Sequence, residues 1–487
     1  MTAGTGVSAS KDPVLAVLSR RFGGLPGRHA GRSLSWWTAR RISLLAATLL
    51  WIVGALQKLP CRSTIAGVYP DTYKYLCYSD IPLLYTARGL ADGNIPYFDH
   101  GNYQTLEYPV LIGYLLEFQR RITVLLGAPV GPGLDTQQAL DASNLFATVN
   151  LVVLGVLFLI TVWAHTRTIP ADLAQGRSWD AMMIAISPMV LLAGFINWDF
   201  LAVALTALGF MFWGRRRPGL AGVMFGLGTA AKLYPVLFLG PLILLCLRRQ
   251  KMREFGRLMI GFAVAWLVPN LPVMIFAPDQ WLVFWTFNSD RTGDLGSIWY
   301  VFSLAGHPVP HLNLINTVIL VLLCAGIGWL IFAARRPPRF GQLGYLVIAA
   351  FLITNKVYSP QYVLWLLPLL VLARPRWREW VIFTVGELGY FLAIWAHLDG
   401  TLTPGNGGPD KLYWLAVIFR IACEVWVGLV IIRDILVPDR YDPLRSAGAP
   451  GTVFYGTVAD DPAGGVLRGA PDAPWVRRLH QWLASTG

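Results

Sequence analysis

The sequence predicts an all-α, polytopic membrane protein, and three observations carry that reading. Of 487 residues, 55% are hydrophobic and 14% charged, whereas soluble domains carry about 25% charged residues. Apolar runs long enough to cross a hydrocarbon core roughly 30 Å thick recur along the chain. Basic residues gather in short clusters between those runs: Arg215-Arg216-Arg217, Arg248-Arg249, Arg335-Arg336 and Arg374, Arg376 and Arg378. Short loops rich in Lys and Arg stay on the cytoplasmic side of a membrane. The net charge of +13 is therefore a topology signal, with attraction to anionic lipid headgroups second. Membrane lipids are expected partners and nucleic acid is not.

The elements follow in order. Residues 1–41 form a basic cytoplasmic tail, too long for a cleaved signal region, so 42–57 reads as a retained first helix. A long aromatic loop follows, 58–108. Residues 109–126 carry Glu117, Arg120 and Arg121 near their centre, where a buried charge costs at least ~2.5 kcal/mol by insertion scales. Leu111, Leu115, Phe118, Ile122 and Leu125 share one face, so the segment is expected to lie along the membrane surface rather than cross it. Further spans are expected at 144–165, 179–196, 200–213, 220–231, 236–247, 258–276, 312–334, 343–354, 363–372, 380–396 and 412–432, about twelve with the first. Residues 42–435 form one transmembrane domain. The segment 436–487 is rich in Gly, Pro, Ala and Asp and reads as a flexible cytoplasmic tail, although 475–482 has amphipathic spacing.

Several spans are too short for a straight crossing, and short or broken helices are tolerated where they line a cavity. Two of the breaks resemble each other: Ala231-Lys232-Leu233-Tyr234-Pro235 and Asn355-Lys356-Val357-Tyr358-Ser359-Pro360. Cys246, Cys324 and Cys423 fall within spans as buried thiols. Cys61 and Cys77 share the first loop, which this topology places outside, and are expected to form a disulfide.

With basic runs inside, the polar residues of interest fall together on the outer face. They are Asp80 with Asp71, Asp92, Asp99, His100 and Glu107 in the first loop, Asp199 at a tight turn, Lys232 and Lys356 at the ends of short helices, and the loop 279–309 with Arg291. Each has a structural reading as well. Asp80 and Asp199 can cap helices, and the lysines can snorkel. Together they suit one chemistry: a carboxylate takes the proton of an incoming hydroxyl, and a cation stabilises charge on a departing phosphate. The chain contains no HExxH, P-loop or GxSxG with partners, and no dinucleotide-binding fingerprint.

The pattern Asp80-x4-Tyr85-x2-Arg88-x-Leu90-x2-Gly93-x2-Pro96-Tyr97, followed by Glu107-Tyr108-Pro109, resembles the first extracytoplasmic loop of GT-C glycosyltransferases. Asn197-Trp198-Asp199, the run from Phe225 to Pro235 and Asn355-Lys356 through Gln361-Tyr362 are similar to glycosyltransferase family eighty-seven of actinobacteria. The resemblance covers roughly residues 42–432. It implies a plasma-membrane enzyme of GT-C fold that moves a sugar, by inversion, from polyprenyl phosphate to a glycolipid or polysaccharide acceptor outside the cytoplasm. Asp80 would be the catalytic base, and Lys232, Lys356 and Arg291 would bind the donor phosphate. Asp199, Glu107, Tyr85, His100 and Tyr358 would line the acceptor and substrate site. Neither metal nor cofactor is implied beyond the lipid-phosphate sugar itself. Mannose is the expected sugar; arabinofuranose is the alternative donor, and lipid-linked sugar transport the alternative activity.

Overall fold

The computed structural model describes residues 38–62, 71–99, 103–168, 177–402, 410–444 and 465–485. Among these residues the chain is helices and loops, with no strand. In chain order they are α1 (Ala39–Gln57), α2 (Asp80–Ala87), α3 (Val110–Leu125), α4 (Thr136–Thr168), α5 (Met182–Ala185), α6 (Pro188–Ala193), α7 (Asp199–Gly214), α8 (Pro218–Ala231), α9 (Leu239–Arg248) and α10 (Met252–Phe276). They continue as α11 (Pro278–Asp290), α12 (Ile298–Leu304), α13 (Leu312–Ala333), α14 (Phe340–Thr354), α15 (Val363–Ala373), α16 (Trp377–Leu398), α17 (Lys411–Leu436), α18 (Pro438–Tyr441) and α19 (Pro474–Ser485).

Six helices, α1, α4, α10, α13, α16 and α17, are long and apolar enough to cross a membrane. The chain is a polytopic membrane protein. Five shorter apolar segments, at Asp199–Gly214, Pro218–Ala231, Tyr234–Arg248, Phe340–Thr354 and Pro360–Ala373, run beside them. The expected span 179–196 is broken into a 3-10 turn (Arg177–Ala181), α5 and α6. Pro188 interrupts it, because proline cannot supply the amide that would continue the helix across that point.

Glycine sets the closest packing. A methyl group on Gly222 would stand 2.0 Å from the Leu258 carbonyl oxygen, and one on Gly226 would stand 2.4 Å from that of Phe262. α8 and α10 therefore touch backbone to backbone, as small residues allow in membrane helix pairs. This contact fixes α8, whose last residue precedes Lys232.

Both lysine-bearing breaks are built alike. Lys232 is extended (φ −150°, ψ 140°) after α8, and a 3-10 turn at Tyr234–Phe238 leads into α9. Asn355 is extended after α14, and a 3-10 turn at Pro360–Tyr362 leads into α15. Pro235 and Pro360 each sit at the start of their turn, where the missing amide is harmless.

α3 buries Ile112, Leu116, Gln119 and Thr123 against the protein. The apolar face expected from spacing points elsewhere: Phe118 and Leu125 are exposed, and Leu111, Leu115 and Ile122 are only half-covered. Glu117 is paired on the helix surface with both Arg120 and Arg121.

The arginine-rich end of the bundle differs from expectation. Arg248, Arg339 and Arg374 are buried, not headgroup-facing. Arg339 binds Asp442 and the carbonyls of Leu372 and Ala373, and Arg374 pairs with Asp434. Arg248 and Arg249 both hold Asp472. The segment expected as a flexible tail thus supplies Asp442 and Asp472, carboxylates that neutralise buried arginines, and those arginines in turn donate to helix-end carbonyls. Cys61 and Cys77 are joined as a disulfide, their Cα atoms 6.1 Å apart.

Candidate active site

The site is assembled at the opposite end of the helices from Arg248. Ser79, not Asp80, caps α2: its Oγ accepts from the Ile81 amide and donates to the Phe195 carbonyl at 2.7 Å. The Asp80 amide donates to the Ile196 carbonyl at 2.8 Å. These bonds lay the first loop across the turn that carries Asn197-Trp198-Asp199. Asp80 is the first residue of α2, where the helix dipole favours a carboxylate.

The Asp80 carboxylate accepts a 2.6 Å hydrogen bond from the Tyr78 hydroxyl, and Asn197 lies in its electrostatic surroundings. Its electrostatic neighbours are Lys232 and Asp199. Burial raises its pKa above the ordinary 3.8; the Tyr78 bond and Lys232 oppose that shift, and Asp199 adds to it. A carboxyl held above its ordinary range is a stronger base when ionised, which suits it to receive a proton from a hydroxyl.

Asp199 is fully buried at the first turn of α7. One oxygen accepts from Trp365 Nε1 at 2.7 Å and lies 3.6 Å from Lys232 Nζ. Trp365 is itself stacked between Tyr234 and Tyr362, with centroids 4.5 and 4.1 Å away. The Lys232 ammonium stands 4.6 Å above the Tyr108 ring and 6.0 Å from that of Tyr362. Asp199 therefore positions and neutralises Lys232 rather than presenting itself to a substrate. The Lys232 ion pair is long and the remaining neighbours are aromatic faces, which leaves the cation with N–H groups to offer an anion.

Leu233, the residue after Lys232, and Tyr108 open onto an aromatic cleft. Tyr108, Leu233, Trp266, Trp281, Phe284 and Trp285 are among the residues that line it. Trp281 Nε1 is satisfied by Asn270 at 2.9 Å, so the cleft wall keeps its indole dipole off the apolar surface.

Other residues expected at the site are held by partners of their own. Lys356 Nζ donates to the Asn288 and Ser289 carbonyls at 2.8 and 3.0 Å and to Asn313 Oδ1 at 2.6 Å. Its three N–H bonds are all spent, so it ties α11 to α13 and is not available to a phosphate. Tyr358 is fully buried; its hydroxyl donates to Glu424 at 2.6 Å and its ring lies 3.5 Å from the Arg420 guanidinium. Tyr85 is fully buried and stacks on Phe146 at 4.6 Å. Glu107 is held by Arg88 through bonds of 2.8 to 3.2 Å, bracing the loop that ends at Tyr108. Arg291 is partly exposed and pairs with Asp294 at 2.7 Å; it lies within electrostatic reach of Tyr362. His100 lies outside the described residues. Among those residues, no three His, Cys, Asp or Glu side chains gather as a metal site.

The model for Glycosyltransferase family 87 matches residues 124–355. A polyprenol-phosphate-mannose-dependent alpha-(1-2)-phosphatidylinositol mannoside mannosyltransferase of Mycobacterium tuberculosis is 26% identical over 320 residues, which are 62% of this chain and 71% of that protein. Just under half of the chain is thus similar to family 87, and the chain is a glycosyltransferase. In this glycosyltransferase the matched stretch takes in Asp199, Lys232 and Arg291, while Asp80 precedes it. The contributions of Tyr78, Asn197, Tyr362 and Trp365 escape sequence reasoning. Tyr78 and Asn197 each sit two residues from a carboxylate already singled out, and that adjacency is the signal that points to them.

Proposed function

We propose that this glycosyltransferase moves a mannosyl residue from polyprenyl phosphate to a hydroxyl of a membrane-anchored mannoside, at the extracytoplasmic face. The observation that carries the reading is the half-buried Asp80, hydrogen-bonded to Tyr78 and set beside the Asp199–Lys232 pair. The name of the mycobacterial relative supplies the sugar, the lipid carrier and the acceptor class. The exposed arginines at the other end of the bundle, Arg216, Arg217, Arg253 and Arg335, support an outward-facing site. The reading includes a GT-C fold with about twelve crossings, the broken segment before Asn197 counting as one, and α3 lying along the membrane.

The acceptor hydroxyl gives its proton to Asp80 as its oxygen bonds to the anomeric carbon. The bond from that carbon to the phosphate oxygen breaks, its electron pair leaves with polyprenyl phosphate, and the anomeric centre inverts. Lys232 faces the growing negative charge, worth most in a site where water is excluded. The aromatic cleft beside it takes the first isoprenyl units, so the phosphate is delivered to the lysine by the position of its tail. The test uses purified enzyme in lipid vesicles with radiolabelled polyprenyl-phosphate mannose and, separately, polyprenyl-phosphate arabinofuranose, against mannolipid acceptors. Mannosyl transfer with inversion is expected. Transfer from the arabinofuranosyl donor alone would overturn the sugar, and transfer from neither would overturn the activity.

A further inference from the structure

The last helix, α19, serves no part of the site just described. It stands at the other end of the molecule, where Asp472 binds buried Arg248 through bonds of 3.1 and 2.9 Å and reaches Arg249 at 3.2 Å. The Ala473 amide donates to the Arg248 carbonyl at 2.7 Å. His480 bonds the Phe332 carbonyl at 2.8 Å, and Trp475 packs on the Phe332 ring at 5.0 Å. Phe332 belongs to the last turn of α13, a helix long and apolar enough to cross a membrane, which leaves Leu314, Leu322 and Trp329 exposed. α19 is therefore pinned at the depth where a membrane span leaves the hydrocarbon.

Its sequence is sorted to match. At 100° per residue, Trp475, Val476, Leu479, Trp482 and Leu483 fall in one arc of roughly 120°, and Arg477, Arg478, Gln481 and Ser485 take the opposite side. The protein covers part of the apolar arc: Val476 is buried, whereas Trp475 is 48% and Trp482 60% exposed. Arg477 and Arg478 are exposed as well. Exposed indoles at a span's end with two arginines behind them match the anatomy of a helix lying in a headgroup layer. Exposed Arg253 and Arg335 belong to the same end of the bundle and extend the positive surface, while Arg257 and Arg336 are paired with Glu254 and Asp439. We propose that α19 is an interfacial lipid-binding element: its indole edge inserts beside α13 while Arg477 and Arg478 engage an anionic phospholipid leaflet, with the Asp472–Arg248 clasp setting its depth.

The test uses the full chain with Cys246, Cys324 and Cys423 replaced by Ala. An environment-sensitive fluorophore is placed on W482C or, on the polar side, on Q481C, in nanodiscs of phosphatidylcholine with or without phosphatidylglycerol. The label at 482 is expected to emit at shorter wavelength than that at 481 and to be quenched by spin-labelled lipid. Phosphatidylglycerol should strengthen the quenching, and R477E/R478E should abolish that increment while transferase activity, far from these residues, reports an intact fold. Equal, water-like emission at 481 and 482 would overturn the proposal. So would a blue-shifted 482 label that spin-labelled lipid fails to quench, because the stripe would then be packed against protein, or quenching that ignores phosphatidylglycerol, because the leaflet charge would then play no part.

Discussion

Replacing Lys232 separates its two tasks, holding Asp199 and meeting the donor phosphate. Lys232→Met leaves Asp199, which has no exposure to solvent, as an uncompensated buried charge. Breaking such a pair from one side typically costs ~3–5 kcal/mol. In Lys232→Met/Asp199→Asn the charge is gone and Asn still accepts from Trp365. What remains is one amide nitrogen without an acceptor, a cost of about 1–3 kcal/mol. The double variant should therefore recover roughly half of the stability lost by the single one. Activity should not follow it: losing a stabilising donor typically costs ~10²–10³ in kcat, and the second substitution restores no cation. Thermal unfolding of detergent-purified protein reads the first quantity, and turnover of radiolabelled polyprenyl-phosphate mannose the second. A double variant with regained stability and wild-type kcat would refute the assignment of Lys232 to the chemistry, leaving it a structural counter-ion.

Asp80→Asn should cost ~10²–10⁴ in kcat while the protein still folds; full turnover by the purified variant would remove Asp80 from the mechanism. In the wild type kcat/KM should fall as pH drops through the Asp80 pKa, since only the carboxylate accepts a proton, and this limb should lie above the ordinary carboxylate range. The Tyr78 hydrogen bond lowers that pKa, so Tyr78→Phe should move the acid limb to higher pH; an unmoved limb would mean that another group titrates. Lys356→Met should lower thermal stability by about 1–3 kcal/mol, through the Asn288 carbonyl and Asn313 Oδ1 left without a donor, with kcat changed far less than in the Lys232 variants. Cysteines at exposed Pro132 and Arg217, in a chain lacking its free thiols, should differ toward an impermeant reagent added to intact cells: Pro132 reacts and Arg217 does not. The reverse pattern would invert the bundle.

Much of the architecture was legible because the membrane imposes a simple rule of apolar length, and six helices obey it. The breaks at Lys232 and Lys356 were visible from proline and short apolar runs. What the sequence hid was pairing. Nothing local distinguishes Arg248 or Arg339 from a headgroup-facing arginine, because their partners Asp472 and Asp442 come from a segment whose composition reads as unstructured. Spacing showed the apolar face of α3 but not that Gln119 and Thr123 would join the buried one. At the site, motif and chemistry singled out Asp80, Asp199 and Lys232, but not the packing that holds Asp199. Its role depends on Trp365, which lies 166 residues away.

The two lysine breaks bear on how such proteins change over time. Their backbones are the same device, an extended residue after a helix and a proline-led turn before the next. Only the surroundings differ: carbonyls of α11 crowd one ammonium, and aromatic faces flank the other. A scaffold with two such sockets holds a spare. Substitutions that withdrew Asn313 or shifted the end of α11 would unmask a second cation without altering the helix break itself, giving selection a second anion subsite from parts already folded.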